Sequence, residues 1–330
     1  MLKNPAKISV LMPVYNTPEE YLREAIESIL NQTYKDFEFV ILNDGSINNA
    51  EDVILSYQDD RIKYFKNEVN SGLPNCRNKL LELANCEYIA YMDSDDISLP
   101  QRLEKQIEFL EHNTNVDILA TRMQRFPKTK FIDYPILDKE IKLSLIFEYN
   151  VIANNSVMFK SELVKKGYIH YDENITNAED YALWLSLIDK VHFHNLSEYL
   201  VKYRWHKSNI SKTGANLQSL NAQYVMIKAQ AKYFNLDGQK MLEMIDKLKN
   251  GQKIKSLELK ALEEFVKLVN FKIEENKIDC SYNLNRNFYK YALKICKKDM
   301  QYLNILWKSE LNKFAQIRSW TKIENTVRIL

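Results

Sequence analysis

The chain has 330 residues, with 46 Lys plus Arg against 44 Asp plus Glu, and contains 6 Gly, which is about a quarter of the average share. Its glycines form neither the G-x-x-x-x-G-K-[ST] phosphate loop nor the G-x-G-x-x-G dinucleotide motif, so both of these nucleotide sites are excluded. With 45% apolar and 12% aromatic residues, the composition is that of a globular protein with a sizeable core.

The cysteines and the N-terminal residues indicate the expected compartment. Cys76, Cys86, Cys280 and Cys296 contain no C-x-x-C pair, so neither a zinc site nor a disulfide framework is predicted, and free thiols in a reducing cytosol are favoured. The first apolar run is interrupted by Pro13 and is too short for a signal peptide or a membrane-spanning helix. We expect a cytoplasmic protein, soluble or attached peripherally to the inner face of a membrane.

The first 120 residues alternate between apolar runs typical of strands and stretches with helical spacing. In chain order the pattern predicts strand 8–14, helix 19–31, strand 37–42, helix 53–57, strand 62–65, helix 73–84, strand 88–92, helix 99–112 and strand 116–120. Alternating strands and helices predict the α/β class, with a mostly parallel sheet flanked by helices. Ligands of such sheets bind beyond the carboxyl ends of the strands, so we expect the chemistry in the loops that follow them.

Composition also divides the chain into two regions. All seven prolines fall within the first 135 residues, and the remaining sequence has a helix-rich pattern. Residues 215–330 contain 21 Lys plus Arg and 12 Asp plus Glu, a net charge of +9, which leaves −7 for residues 1–214. We therefore predict an acidic α/β domain over residues 1–214 and a basic helical region over residues 215–330.

Polar side chains follow four of the predicted strands. Tyr15 and Asp44 follow the first two strands, and Arg77 lies near the start of the helix after the third. Each of these alone is compatible with ordinary turn or surface chemistry as well as with ligand binding. The DSDD segment, residues 93–96, differs because three carboxylates so close together repel one another unless a cation or hydrogen-bond donors offset them. A Mg²⁺ or Mn²⁺ ion bridging phosphate oxygens would do so, with Tyr15 and Asp44 placed to receive a base and a ribose.

Several segments, in their order and spacing, resemble the family 2 glycosyltransferases of the GT-A fold. Across roughly the first 210 residues they are SVLMPVYN, NQTYKDFEFVILNDGS, NSGLPNCRN and YIAYMDSDDISLPQRL, followed by NAEDYALWLSL and YLVKYRWHKSNIS. The resemblance implies an inverting hexosyltransferase that uses a nucleoside-diphosphate sugar, most often a UDP-sugar, together with a divalent metal. The acceptor expected of such an enzyme is a glycan or a lipid-linked saccharide, as in the biosynthesis of a bacterial surface polysaccharide such as lipopolysaccharide or capsule.

The same resemblance implies roles for individual residues around the donor. Pro13, Tyr15 and Asp44 match nucleoside-binding positions, Arg77 and Ser94 belong to the donor site, and Asp93 and Asp95 form the Asp-x-Asp pair, with Asp95 as the direct metal ligand. Arg204 and His206 resemble an element that closes over the donor. His206 is expected either to complete the metal shell or to bond the diphosphate.

Glu179 and Asp180 match the family's Glu-Asp motif at the start of a helix, where the second carboxylate is the expected catalytic base. An inverting displacement needs such a base to remove the proton of the acceptor hydroxyl. The alternative is that both are acids favoured by the helix dipole in the first helical turn. The motif context favours catalysis by Asp180.

The end of the chain is basic and amphipathic. Residues 286–328 carry ten Lys plus Arg and three Asp plus Glu, and Leu303, Trp307, Leu311, Phe314 and Ile317 recur every three or four positions. This pattern predicts a helix that packs in the core, or one that lies on an anionic membrane surface. Nucleic acid is not an expected partner, because no nucleic-acid-binding motif accompanies the lysines.

Two other functions are alternatives to the transferase. A sugar nucleotidyltransferase on a related sheet would need a Gly-rich, Arg-bearing loop after the first strand, where this chain has MPVYNTPEE. A non-catalytic carbohydrate-binding protein would be favoured by loss of the metal or base carboxylates, yet Asp95 and Asp180 are both present. The sequence therefore favours a metal-dependent inverting glycosyltransferase.

Overall fold

The structure is a computed structural model that describes residues 6–206, 209, 214–234, 236–237, 239–250 and 252. Nine strands lie in the described residues: β1 Ile8–Val14, β2 Phe37–Asp44, β3 Ile62–Asn67, β4 Tyr88–Tyr91, β5 Ile97–Ser98, β6 Ile118–Phe126, β7 Lys130–Ile132, β8 Met158–Lys160 and β9 Phe193–Arg204. The α-helices described are α1 Glu19–Leu30, α2 Ala50–Leu55, α3 Leu73–Leu83, α4 Arg102–His112, α5 Asp138–Phe147, α6 Glu162–Lys165, α7 Glu179–Ser186, α8 Ala215–Phe234 and α9 Gln239–Lys249. A 3₁₀ turn, Asn154–Ser156, precedes β8.

The strands form one sheet in the order β3-β2-β1-β4-β8-β6-β9-β5, with β7 paired to β6. The segment β3-β2-β1-β4 is parallel throughout, and β6 runs parallel to β9. Antiparallel pairs are short and join β4 to β8, β8 to β6, β5 to β9 and β6 to β7. Most paired positions therefore lie in parallel ladders, and the predicted α/β class with a mostly parallel sheet flanked by helices is confirmed.

The predicted strands and helices of the first 120 residues are all present, and most of them have at least one shifted boundary. Strand β2 extends to Asp44, so this residue ends a strand and does not begin a loop. Helix α4 starts at Arg102 because the preceding residues pair with β9, and the backbone N–H of Leu99 donates to the carbonyl of Leu200 at 2.9 Å. Strand β6 continues past Ala120 because β9 supplies a long parallel partner.

Apolar residues on β1 and on the helix that follows it build the core beneath the strand ends. Ile8, Val10 and Met12 of β1 are fully buried, and so are Leu22 and Ile26 of α1. This spacing is 2 in the strand and 4 in the helix, as expected when each element buries one face. The parallel strands are thereby fixed with their carboxyl ends at one edge.

The chain clusters into two compact units. The first comprises Met1–Leu145 and Tyr149–Ala222, and the second comprises Ile146–Glu148 and Gln223–Leu330. In the second unit the Gln230 side-chain amide donates to the carbonyl of Ile146 at 2.9 Å. Residues 286–328, with their predicted amphipathic helix, lie outside the described residues, and the domain boundary at residue 214 stays a prediction. In the part of the chain that is described, no helix combines the length and the apolar character needed to cross a membrane.

Candidate active site

A cavity of about 640 Å³ opens at the carboxyl ends of β1, β2 and β4, within the first unit. Ten of the eleven side chains predicted from the sequence line it: Pro13, Tyr15, Asp44, Arg77, Asp93, Ser94, Asp95, Glu179, Asp180 and His206. The eleventh, Arg204, does not line it. The cavity thus brings together residues that lie up to 193 positions apart in the sequence.

Asp44 holds the loop that follows β3. Its carboxylate is buried and accepts hydrogen bonds from the side chains of Asn67 and Ser71, and from the backbone N–H groups of Ser71 and Gly72. Gly45 allows this loop to approach, because a Cβ at Gly45 would lie 2.6 Å from the backbone nitrogen of Asn70. The nucleoside-binding role predicted for Asp44 stays a prediction, and what the structure adds is that Asp44 shapes this wall of the cavity.

The end of β1 contributes an exposed ring and a strained backbone. Tyr15 is 50% exposed, and the nucleoside-binding role predicted for it stays a prediction. Asn16 has a φ of 50°, a value that is uncommon for a residue other than glycine, and its side chain accepts from the backbone N–H of Ile47 at 2.9 Å. Ser94 lies with its hydroxyl 2.7 Å from that of Thr17, which fixes the loop after β1 against the turn of residues 93–96.

The acidic turn, residues 93–96, carries the predicted metal ligands. Asp93 is half-buried, and burial raises its pKa against the opposing charge of Arg77, which lies 3.4 Å away. The Asp95 carboxylate is 2.9 Å from Nε2 of His206. Among the described residues no three His, Cys, Asp or Glu side chains are arranged to hold a metal ion. The metal-ligating side chains present here nevertheless fit a hard divalent ion. Such an ion takes one or two carboxylates and completes its coordination shell with phosphate oxygens and water.

Asp96 and Arg204 support the acidic turn from behind. The buried Asp96 carboxylate accepts from the backbone N–H of Arg204 at 2.7 Å and from the side-chain amide of Asn155. Burial, together with the charges of the neighbouring acids, raises the pKa of Asp96 well above its ordinary value. The Arg204 guanidinium donates to the carbonyl of Asp95 at 2.7 Å, pairs with Glu24 and lies 4.2 Å from the Tyr21 ring. Donor binding by Arg204 therefore stays a prediction, and its described contacts are structural.

Arg102 places a fully buried positive charge beneath the same turn. Its guanidinium donates to the carbonyls of Tyr91 and Asn155 at 3.1 and 2.7 Å. It thereby ties β4, which leads into the acidic turn, to the 3₁₀ turn. Burial lowers the pKa of Arg102 to about 10, against the opposing charge of Asp93. A buried cation at this position offsets part of the negative charge of the turn.

Arg77 joins the two acidic parts of the cavity. It is buried and donates to Glu179 at 2.7 Å, in addition to its contact with Asp93. The Tyr171 ring lies 5.4 Å from the guanidinium carbon. Because Glu179 is also buried and ion-paired, its described role is to hold Arg77, and Arg77 in turn fixes the distance between the acidic turn and α7.

Asp180 occupies the second position of α7. One carboxylate oxygen accepts from Asn150 at 2.9 Å, and the other accepts from the backbone N–H of Tyr181 at 2.7 Å. Burial, and after it the charge of Glu179, raises the pKa of Asp180 to about 7 against the opposing charge of Arg77. A carboxylate with these properties can accept a proton near neutral pH, as a general base must.

Sequence reasoning missed the opposite wall of the cavity. Met123, Tyr134, Asn150 and Tyr203 all line it, yet none follows a parallel strand of the first half of the sheet. Tyr134 and Asn150 lie in connecting segments, and Met123 and Tyr203 lie within strands. A signal for Tyr203 existed, since it lies one residue before Arg204 in the YRWHKSN segment.

Comparisons with known proteins identify the family. Residues 9–166 match the model of glycosyl transferase family 2. A protein of Methanocaldococcus jannaschii named as an uncharacterized glycosyltransferase is 41% identical over 206 residues, which are 60% of this chain and 70% of that protein. The O-antigen biosynthesis glycosyltransferase WbnJ of Escherichia coli is 34% identical over 218 residues, which are 62% of this chain and 82% of WbnJ.

A solved structure shares the fold. The crystal structure of residues 1–349 of S. aureus TarS in complex with UDP-GlcNAc superposes with a TM-score of 0.58 and 19% identity, over 80% of this chain and 81% of that one. The chain is a glycosyltransferase of the GT-A fold and belongs to glycosyl transferase family 2.

Proposed function

We propose that the protein is an inverting, metal-dependent transferase that moves a sugar from UDP to a hydroxyl of a saccharide acceptor, with Asp180 as the general base. The observation that carries this proposal is the sharing of one cavity by Asp180 and the acidic turn. A donor diphosphate at the turn and an acceptor hydroxyl at Asp180 would then lie on either side of the transferred sugar, as an in-line displacement with inversion requires.

Electrostatics support the need for a cation. The described residues that line the cavity include five carboxylates and a single guanidinium, that of Arg77, which is already paired with Glu179 and Asp93. A diphosphate would be repelled by this set of charges. Asp95, Asp93 and His206 are the side chains we assign to a Mg²⁺ or Mn²⁺ ion. When bound, such an ion neutralises the charge of the departing diphosphate.

The protein's own residues perform the proton transfer. As the acceptor oxygen bonds to the anomeric carbon and the bond to the diphosphate breaks, Asp180 takes the proton from the acceptor hydroxyl. Asn150 and the N–H of Tyr181 orient the carboxylate for this step. Glu179 contributes by keeping the pKa of Asp180 high enough for efficient proton acceptance.

The relatives support the choice of donor and acceptor. TarS has been crystallised with UDP and with UDP-GlcNAc, and WbnJ is named for O-antigen biosynthesis. Both are consistent with a UDP-sugar donor and a polysaccharide or lipid-linked acceptor for this chain. We place the reaction in the cytoplasm, with the enzyme soluble or peripheral on the inner face of the membrane.

Slow hydrolysis of the donor tests the proposal without knowledge of the acceptor. The full chain is incubated with a panel of UDP-, GDP- and TDP-sugars in Mn²⁺, in Mg²⁺ and in EDTA, and release of the nucleoside diphosphate is measured. We expect release from at least one UDP-sugar with a divalent ion and little or none in EDTA. Equal release in EDTA would overturn the metal assignment, and release from GDP- or TDP-sugars alone would overturn the choice of UDP.

A further inference from the structure

One wall of the cavity consists of side chains that the proposed donor and base chemistry does not use. Met123 comes from β6, Tyr134 follows β7 and Tyr203 comes from β9. The β6–β9 register pairs Met123 with Val201 and Arg125 with Tyr203, so Met123 and Tyr203 project from the same face of the sheet. These three residues, Met123, Tyr134 and Tyr203, form what we call the tyrosine wall.

The tyrosine wall lies close to the proposed base. Asp180 lines the same cavity as Tyr134 and Tyr203. Burial above all raises the pKa of the Tyr134 phenol, and the charges of Tyr149, Asp180 and Tyr203 add to the shift. Tyr134 is only 8% exposed, and no hydrogen bond within the described part of the chain uses its hydroxyl. A phenol hydroxyl that lines a cavity beside a base can take its polar partner from a ligand.

The chemistry of the wall selects one class of ligand. Two phenol rings and a thioether offer apolar faces, and the phenol hydroxyls offer polar edges, which together match a sugar ring with its C–H faces and its hydroxyls. An anionic ring would meet the five cavity carboxylates, while the guanidinium of Arg77, the single Lys or Arg side chain among the described lining residues, is already ion-paired. Charge therefore favours an uncharged saccharide over a uronic acid or a polyol phosphate.

We propose that the tyrosine wall is the acceptor subsite and that the acceptor presents an uncharged sugar ring to it. The inference rests on the proposed function, because it takes Asp180 as the base. A ring held on the wall directs a hydroxyl toward Asp180. The O–H proton passes to the carboxylate while the oxygen bonds to the anomeric carbon and the diphosphate leaves with the electrons of the broken C–O bond.

The class of acceptor is tested by adding candidate compounds and measuring how much each one stimulates UDP release. The wild-type chain receives Mn²⁺ and the UDP-sugar that it hydrolyses fastest, and UDP release is followed with methyl glycosides of uncharged hexoses, with methyl glucuronide and with glycerol 3-phosphate. We expect at least one uncharged glycoside to raise release about tenfold over water alone, and neither anionic compound to do so. Stimulation by an anionic compound that equals or exceeds that by the uncharged glycosides overturns the inference, and so does a lack of stimulation by every uncharged glycoside.

Variants locate the subsite. Tyr134→Phe removes one hydroxyl and keeps the ring, and we expect it to raise the KM of the stimulating glycoside about fivefold, the effect of one lost hydrogen bond. Tyr203→Leu removes an aromatic ring face, and we expect it to raise the KM of the stimulating glycoside by more than fivefold. Phe131→Ala is the control, because Phe131 is 54% exposed, contacts the Tyr199 ring in a tilted arrangement and lies outside the cavity lining.

The outcomes separate this inference from the proposed function. UDP binding by each variant, measured by calorimetry, shows that the variant is folded. Wild-type KM values in both Tyr134→Phe and Tyr203→Leu overturn the subsite while leaving the transferase intact. If the wild-type chain neither binds UDP nor hydrolyses any UDP-sugar, the proposed function itself fails. A rise in KM for Phe131→Ala equal to that of the wall variants also counts against the subsite, because it would indicate a general effect.

Discussion

Asp44 and Asp180 line the same cavity, but their surroundings use them in opposite ways. Asp44 receives hydrogen bonds from Asn67, Ser71 and Gly72, so its lone pairs are largely occupied by the loop after β3. Asp180 accepts from two donors, Asn150 and the N–H of Tyr181. A carboxylate that is saturated by donors fixes a loop, whereas a partly buried carboxylate with fewer donors and an acidic neighbour keeps a high proton affinity.

The charge around the two residues sharpens this contrast. Burial and, after it, the charge of Glu179 raise the pKa of Asp180, while the charge of Arg77, which pairs with Glu179, lowers it. At the Asp44 end the partners are the neutral side chains and backbone N–H groups of residues 67–72. Changes at Asp180 should therefore act mainly on the reaction rate, and changes around Asp44 mainly on stability and donor affinity.

The largest effect is expected for Asp180→Asn. The amide nearly preserves the shape of the side chain but cannot accept the proton, so we expect donor turnover to fall about 10³-fold, within the range for loss of a general base. UDP affinity should stay within about threefold, because Asp180 does not contact the diphosphate in the proposed complex. UDP release and calorimetry measure the two quantities. Retained turnover would move the base elsewhere, with Glu179 as the next residue to test.

The pH profile should show the raised pKa of Asp180 directly. The base acts only when deprotonated, so kcat/KM is expected to be constant above about pH 7 and to fall about tenfold per pH unit below it. Glu179→Gln removes the neighbouring negative charge and should move the midpoint to lower pH. A profile that is flat down to pH 5, or a midpoint that Glu179→Gln leaves in place, would contradict this assignment.

The half of the sheet that carries Asp44 was the predictable half. Strands β1 to β4 are apolar runs separated by helices with clear spacing, and parallel pairing brings their ends to one edge whatever the detailed register. The positions of Tyr15, Asp44 and the acidic turn in one cavity follow from that rule. The motif resemblance then supplied Glu179 and Asp180, which pattern alone would leave as ordinary first-turn acids.

The structure of the other half of the sheet depends on long-range contacts that no local sequence pattern reveals. Strands β5, β7 and β8 have two or three residues each, and the β6–β9 register shifts around Arg122. Arg204 pairs with Glu24, 180 residues away, and its backbone is held by Asp96. Tyr134 and Asn150 reach the cavity from connecting segments. Such positions are set by tertiary packing, which overrides local propensity.

A pair of glycine variants tests how tightly the Asp44 end is built. Gly45→Ala combines a φ of 70° with a Cβ 2.6 Å from the backbone of Val69 and Asn70, so we expect it to lower the free energy of unfolding by about 2–4 kcal/mol. Gly167→Ala has a similar φ of 69° but no atom within 4 Å, and should cost about 1–2 kcal/mol. Urea unfolding compares the two variants. Equal losses in the free energy of unfolding would show that the loop after β3 moves to accommodate the added Cβ without an energetic penalty.

The smallest expected effect is that of Ser71→Ala, which removes one of the donors to Asp44. The Ser71 hydroxyl donates to Asp44 at 2.7 Å, while the N–H groups of Ser71 and Gly72 and the amide of Asn67 remain as partners. We therefore expect a loss of about 1 kcal/mol in the free energy of unfolding, the usual net value of one hydrogen bond, with a two- to fivefold weaker affinity for UDP.

Ser197→Ala is the matched control for this variant, because its exposed hydroxyl lies 3.4 Å from Glu198 and outside the cavity lining. Urea unfolding and calorimetry with UDP and Mn²⁺ measure both effects. If Ser71→Ala lowers the rate of UDP release while its stability and UDP affinity match those of Ser197→Ala, the loop held by Asp44 acts on the reaction itself. The assignment of stability and donor affinity to Asp44 and of the reaction rate to Asp180 would then be wrong, because a change near Asp44 would alter the rate of the reaction.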